Sequence, residues 1–139
     1  MPSASEIVIA RCSVVGSSEE PDYRQVLRCG RHEMLCDERP ARGGADAGPM
    51  PFEYLLSSLG ACTSITLRMY AQRKGWEIGT VSVSLALRRG KDGDKVERRV
   101  SLSVPVTAEQ QAKLLEICDK TPVTLVVRSG VPVHTTFQA

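Results

Sequence analysis

The residues best equipped for chemistry in this chain are its five cysteines: Cys12, Cys29, Cys36, Cys62 and Cys118. Cys62 stands apart from the others. It falls within SSLGACTS, residues 57–64, a run made almost entirely of small side chains. Small residues leave room beside the sulfur for a second backbone or a ligand. Two readings are open. Free cysteine is among the most buried residue types, so Cys62 can be a small core hydrophobe. Alternatively it is a reactive thiol in a pocket. The reactive species is the thiolate. Burial alone opposes that form. A helix dipole acts only within the first turn, and Cys62 lies some ten residues into its element. A thiolate at this position therefore needs a cation from elsewhere in the fold. Cys12, Cys29 and Cys36 fall on expected strands with apolar neighbours, and structural burial is expected for all three. Cys118 sits on the apolar face of an expected helix. There is no C-x-x-C pair, and His32 and His134 stand in no ligand-spaced cluster, so no metal site is expected.

The elements that must position these residues follow from periodicity. Residues 6–15 (EIVIARCSVV) are rich in β-branched side chains and predict a strand. Residues 23–29 and 32–37 predict a hairpin across Gly30-Arg31. Residues 38–50 (ERPARGGADAGPM) are punctuated by glycine and proline and predict an ordered loop or lid. Pro51 opens the strongest helix, with Glu53 in its first turn and Lys74-Gly75 as its stop. Leu55, Leu59, Cys62, Thr66 and Met69 line one face of it. Leu56, Gly60, Thr63, Leu67 and Tyr70 line the next. So wide an apolar stripe predicts burial on most sides, and the thin waist suggests packing against a second copy. Residues 80–87 and 96–106 alternate cleanly and predict a second hairpin, with RRGKDGDK as its charged tip. Thr107 to Gln110 form a capping box that starts a helix through about Lys120. Thr121-Pro122 starts a short final helix or turn, and residues 131–137 predict a closing strand. The order is β-β-β-α-β-β-α-β, an α+β fold in one domain spanning 1–139.

Composition narrows the function. Eighteen basic and sixteen acidic residues are mixed along the chain, for a net charge of +2. That balance gives no electrostatic footprint for nucleic acid, and six aromatics are too few for a stacking platform. No stretch approaches the roughly 18 apolar residues of a membrane span. No signal peptide is expected, and an odd, scattered cysteine set points to a reducing cytoplasm.

The segment GGADAGPMPFEYLLSSLGACTSITLRMYAQRKGW, residues 43–76, resembles the signature of the OsmC/Ohr family of osmotically inducible and organic-hydroperoxide-resistance proteins. Gly43-Gly44, Gly48-Pro49, Pro51, Glu53 to Leu56 and Leu59 to Thr63 carry the likeness, and the element order extends it over essentially the whole chain. The resemblance implies an intertwined homodimer whose antiparallel sheets wrap a pair of long central helices. It implies a thiol peroxidase in which a helix cysteine attacks the O–O bond of an organic hydroperoxide. An arginine and a glutamate hold that cysteine as thiolate. A second cysteine resolves the sulfenic acid, and an external dithiol reduces the disulfide. No bound cofactor is implied.

Carried over residue by residue, Cys62 matches the peroxidatic position. The second cysteine of the family lies in a Cys-Pro pair, which here is Thr121-Pro122. Cys118 stands about one helical turn earlier, as a substitute resolver or a core residue. The glutamate of Ohr-type members follows the proline directly, where this chain has Phe52. Glu53 comes one residue later, as a positioning carboxylate or a first-turn charge. Arg24 has the register of the family arginine, with Arg39 as runner-up. Phe52, Leu55, Leu59 and Tyr70 are the expected walls of a pocket for an alkyl or lipid hydroperoxide, with an external thiol or dithiol as reductant. Two other readings compete: a non-peroxidase protein binding a small apolar ligand or thiol, and a purely structural dimer.

Overall fold

The computed structural model describes residues 5–20 and 22–138. The chain divides into two compact units, Met1–Tyr54 and Leu55–Ala139. The boundary falls shortly after the start of the long helix.

The first unit is built on a three-stranded antiparallel sheet in the order β1-β2-β3, with β1 Ser13–Gly16, β2 Gln25–Cys29 and β3 His32–Cys36. The β2–β3 hairpin forms where the sequence predicts it, in the register Cys29↔His32 to Gln25↔Cys36. The first strand is shorter than expected. Only Ser13 to Gly16 pair, against Arg28 to Gln25, while residues 6–12 carry no ladder. Ile7 and Ile9 are more than four-fifths exposed. Their pattern is that of a strand, but a strand requires a partner edge.

The loop after β3 is tightly ordered. The Asp37 carboxylate accepts hydrogen bonds from the backbone N–H groups of Glu38 (2.7 Å), Ala45 (3.0 Å) and Ala47 (3.1 Å). Pro40–Arg42 form a single 3-10 turn. The chain then closes so tightly that a Cβ on Gly44 would collide with the Glu38 carbonyl oxygen. The glycines of this segment thus have a local reason: they let the backbone coil around one carboxylate.

Helix α1, Pro51–Lys74, starts at proline and carries Arg73 and Lys74 in its last turn, as the sequence predicts. Its buried face is Leu59, Gly60, Thr63, Leu67 and Ala71. The expectation of burial on most sides is not met within one chain. Phe52, Leu55, Ile65 and Met69 are 39–56% exposed. The thinned waist has a partner: a Cβ on Gly60 would lie 2.8 Å from Leu85 Cδ1, so glycine lets the next sheet approach the helix.

That sheet is the hairpin of β4, Val81–Gly90, and β5, Gly93–Leu102. The strands run further into the charged tip than expected, because Arg88 pairs with Glu97 and Arg89 with Asp94 across the ladder. The second strand ends at Leu102 rather than Val106. Helix α2, Ala108–Cys118, begins on the predicted box: Thr107 accepts from the Gln110 N–H, and the Gln110 side chain accepts from the Thr107 N–H. Helix α3, Pro122–Ser129, follows with proline in its first turn. Leu67, Ala71, Ile78, Leu114 and Cys118 form the core of this unit, flanked by Tyr70, Trp76, Val81, Leu102, Val106 and Ile117.

The closing strand expected at residues 131–137 does not form. Residues 131–138 carry no regular structure, Val133 is 83% exposed and Phe137 fully exposed. The observed order is therefore β-β-β-α-β-β-α-α. The fold remains α+β, with antiparallel sheets and one long helix.

Candidate functional site

The polar centre of the second unit is built from four elements. Thr63 of α1 is fully buried, and its hydroxyl donates to the Leu59 carbonyl one turn earlier at 2.7 Å. Arg98 of β5 donates through Nη1 to Thr63 Oγ1 (2.9 Å) and to Thr124 Oγ1 of α3 (2.8 Å), and through Nη2 to the Cys118 carbonyl at the end of α2 (2.8 Å). The Thr121 and Thr124 hydroxyls share a hydrogen bond of 2.6 Å. Among the described residues no carboxylate pairs with Arg98. A planar guanidinium with several donors suits this task, since it ties three helices to one strand at once.

Cys118 lies in this cluster and is 5% exposed. Burial pushes its thiol above the ordinary range, opposed in part by the nearby Arg98 charge. Thr121 is fully buried. A cavity of about 960 Å³ adjoins the cluster. Leu55, Leu59, Val100, Leu114, Arg98 and Cys118 are among its walls. Its lining is largely aliphatic, as small-molecule pockets commonly are.

Cys62 is half-buried on α1 and does not line that cavity. It sits on the side of the helix where Ile65 and Met69 remain exposed. Of the expected pocket walls, Leu55 and Leu59 face the cavity, while Phe52 is 47% exposed on the first turn. Tyr70 packs edge-on to Trp76 at 5.5 Å and beneath the Lys74 ammonium, away from that cavity.

The charged candidates belong to the first unit. Arg39 Nη2 and Glu53 Oε2 form an ion pair at 3.2 Å. Glu53 also accepts from the Met50 N–H at 2.9 Å, the return half of a helix cap. The Met50 hydrogen bond, joined by the Arg39 charge, holds the Glu53 carboxyl below its usual range against the opposing effect of burial. Arg24 pairs with Asp22, its Nη2 lying 3.4 Å from Oδ2, and its Nε is buried with no hydrogen-bond partner among the described residues. The structure thus brings Arg39 and Glu53 together and gives Arg24 a different carboxylate.

Two features escaped the sequence reading. One is Arg98. It occupies the even-numbered position between Val96 and Val100, so strand alternation directs it inward with the apolar residues, and that parity was the available signal. The other is a thiol pair. Cys12 is exposed and Cys29 half-buried, against the expectation that both are buried, and their sulfurs lie 3.3 Å apart. Of the three strand-region cysteines only Cys36 is buried. The reason is the missing ladder at residues 6–12, which leaves Cys12 at an open edge.

No group of three or more metal-ligating side chains occurs among the described residues. No helix among them is long and apolar enough to cross a membrane.

The family model for OsmC-like protein matches residues 43–136. No curated protein sequence matches. Solved structures do. An OsmC-like protein from Mycoplasma pneumoniae superposes with a TM-score of 0.72 at 17% identity, covering 86% of each chain. An organic hydroperoxide resistance protein from Elizabethkingia anophelis superposes with a TM-score of 0.62 at 18% identity, over 89% of this chain and 91% of that one. The organic hydroperoxide resistance protein OhrB of Bacillus subtilis gives 0.58 at 17% identity, over 87% and 91%. At such identities the structural likeness speaks to the fold, and the family model, matched over more than half of the sequence, assigns the chain to the OsmC-like protein family.

Proposed function

We propose that the chain is a thiol-dependent peroxidase that reduces alkyl or lipid hydroperoxides through Cys62 at the interface of a homodimer. The observation that carries the reading is the placement of Cys62: a half-buried thiol on the side of α1 that the chain itself leaves uncovered, among exposed apolar residues. The family membership and the two neighbours named for hydroperoxide resistance support it. A second copy would cover Ile65 and Met69, and the segments 7–12 and 131–138, which form no strand in this chain, offer strands for exchange with a partner.

In this mechanism the Cys62 thiolate attacks one peroxide oxygen. The O–O bond breaks, the sulfur becomes sulfenic acid and the other oxygen leaves as alcohol after taking a proton. An arginine supplies the positive charge that favours the thiolate and the developing oxyanion, a role for which the sequence resemblance nominates Arg24 or Arg39. Thr121 has no sulfur, and Cys118 is enclosed in the core. Both support resolution by an external thiol or dithiol in a reducing cytoplasm rather than by an internal one.

The cavity beside Arg98 favours a second reading, a protein that binds a small apolar ligand there without peroxidase chemistry. One experiment separates the two. Reduced protein is mixed with an alkyl hydroperoxide and sulfenic acid is trapped and located by mass spectrometry, with Cys62→Ser alongside. Fast oxidation that needs Cys62 supports the peroxidase. A Cys62 that reacts no faster than a buried thiol overturns it.

A further inference from the structure

The close approach of Cys12 and Cys29 lies outside the peroxidase scheme. Cys12 directly precedes β1, whose ladder ends at Ser13↔Arg28, so Cys12 and Cys29 are the next residues beyond that last pair. The Cys29 thiol donates to Cys12 Sγ at 3.3 Å, so the sulfurs have only about 1.3 Å to close. Cys12 is exposed. We propose that Cys12 and Cys29 form a reversible dithiol–disulfide site that exchanges with small-molecule disulfides of the glutathione class, independently of Cys62.

The exchange balances in two steps. Cys12, the more accessible sulfur, attacks one sulfur of the small disulfide, whose S–S bond breaks and releases one thiol. Cys29 then attacks the Cys12 sulfur of the mixed disulfide, and the second small thiol leaves. The two thiol protons of the protein end on the two released thiols, the protein is oxidised and the small disulfide reduced. Hydrogen bonding to Cys12, then burial, raise the Cys29 thiol above its ordinary range, which suits the group that stays protonated until the second step. The bridge would close the loop between positions 12 and 29, which holds the Asp22–Arg24 ion pair, and so tie the strand that follows Arg24 to β1.

The test uses the full chain carrying Cys62→Ser, so that failure of the peroxidase reading cannot affect it. The reduced protein is equilibrated with oxidised and reduced glutathione at graded ratios, alkylated in acid and mapped by mass spectrometry. Of the five cysteines this chain keeps four. The expected result is a single Cys12–Cys29 linked peptide pair that leaves two alkylatable thiols, is reversed by excess reduced glutathione, and vanishes in either Cys12→Ser or Cys29→Ala. In Cys29→Ala the mixed disulfide on Cys12 should persist. Glutathione carried separately by both residues, a Cys12 link between chains, or labelling no faster than at the buried Cys36 and Cys118 would overturn the proposal.

Discussion

Arg98 Nη2 donates to the carbonyl oxygen of Cys118 at 2.8 Å, so the end of α2 hangs on a side chain from the middle of β5. The same guanidinium holds Thr63 of α1 and Thr124 of α3. Replacing Arg98 by methionine should leave three acceptors in a partly buried site without their donor. The expected loss is about 3 kcal/mol of unfolding free energy, read by urea denaturation. Arg98→Lys should recover only part of it, because an ammonium cannot match the planar fork.

Thr121→Cys puts a thiol at the residue where the sequence resemblance would place the family's second cysteine. Because Thr121 is enclosed on the face of α1 away from Cys62, hydroperoxide should leave this variant accumulating sulfenic acid at Cys62 as the parent does, rather than a disulfide to the introduced thiol. Intact-mass and peptide analysis after a short exposure distinguishes the two. The loss of the Thr121–Thr124 hydrogen bond should lower the Tm modestly.

Asp37 predicts a pH dependence. Burial alone would raise its carboxyl, but the N–H groups of Ala47, Glu38 and Ala45, with help from Tyr23, outweigh that and hold it below its ordinary value. Its folded value is therefore depressed relative to the unfolded chain. The stabilisation is fully present above the ordinary aspartate range and is lost as pH falls through the folded value. Thermal melts from neutral pH downward should show the Tm falling below about pH 4, and Asp37→Ala should remove this part of the slope while lowering the Tm throughout.

Gly44→Ala should be strongly destabilising. The added methyl would meet the Glu38 carbonyl oxygen inside the coil around Asp37. A loss of roughly 3 kcal/mol is expected. Gly90→Ala is the control: nothing lies near its added Cβ, and its stability should stay within about 0.5 kcal/mol of the parent.

The uncovered side of α1 gives a further test. Ile65 and Met69 are 52% and 56% exposed and stand one turn apart. Met69→Glu should cost the isolated chain little, yet shift sedimentation from dimer to monomer if a second copy packs there. An unchanged sedimentation profile, dimeric or monomeric, would remove α1 as the contact.

Whatever depends on near neighbours could be read directly from the residues. Pro51 and Lys74-Gly75 bound α1, the Thr107–Gln110 box starts α2, and Thr121-Pro122 starts α3, because capping and proline act within one turn. The two hairpins were legible for the same reason, and so was the family, since its motif is a contiguous string. The pairings that bring distant positions together came from the folded chain. Arg98 could be read as inward by parity, but its partners lie 20 to 35 residues away in sequence. Cys12 meets Cys29 only through the β1–β2 register. Residues 131–137 have the alternation of a strand and form none, because a strand is completed by an edge that its own sequence does not contain. Cys62 shows both sides of this division. Its type and small neighbours marked it in the sequence. Its half-buried place on the uncovered side of α1 came from how β4, α2 and α3 pack on the other face.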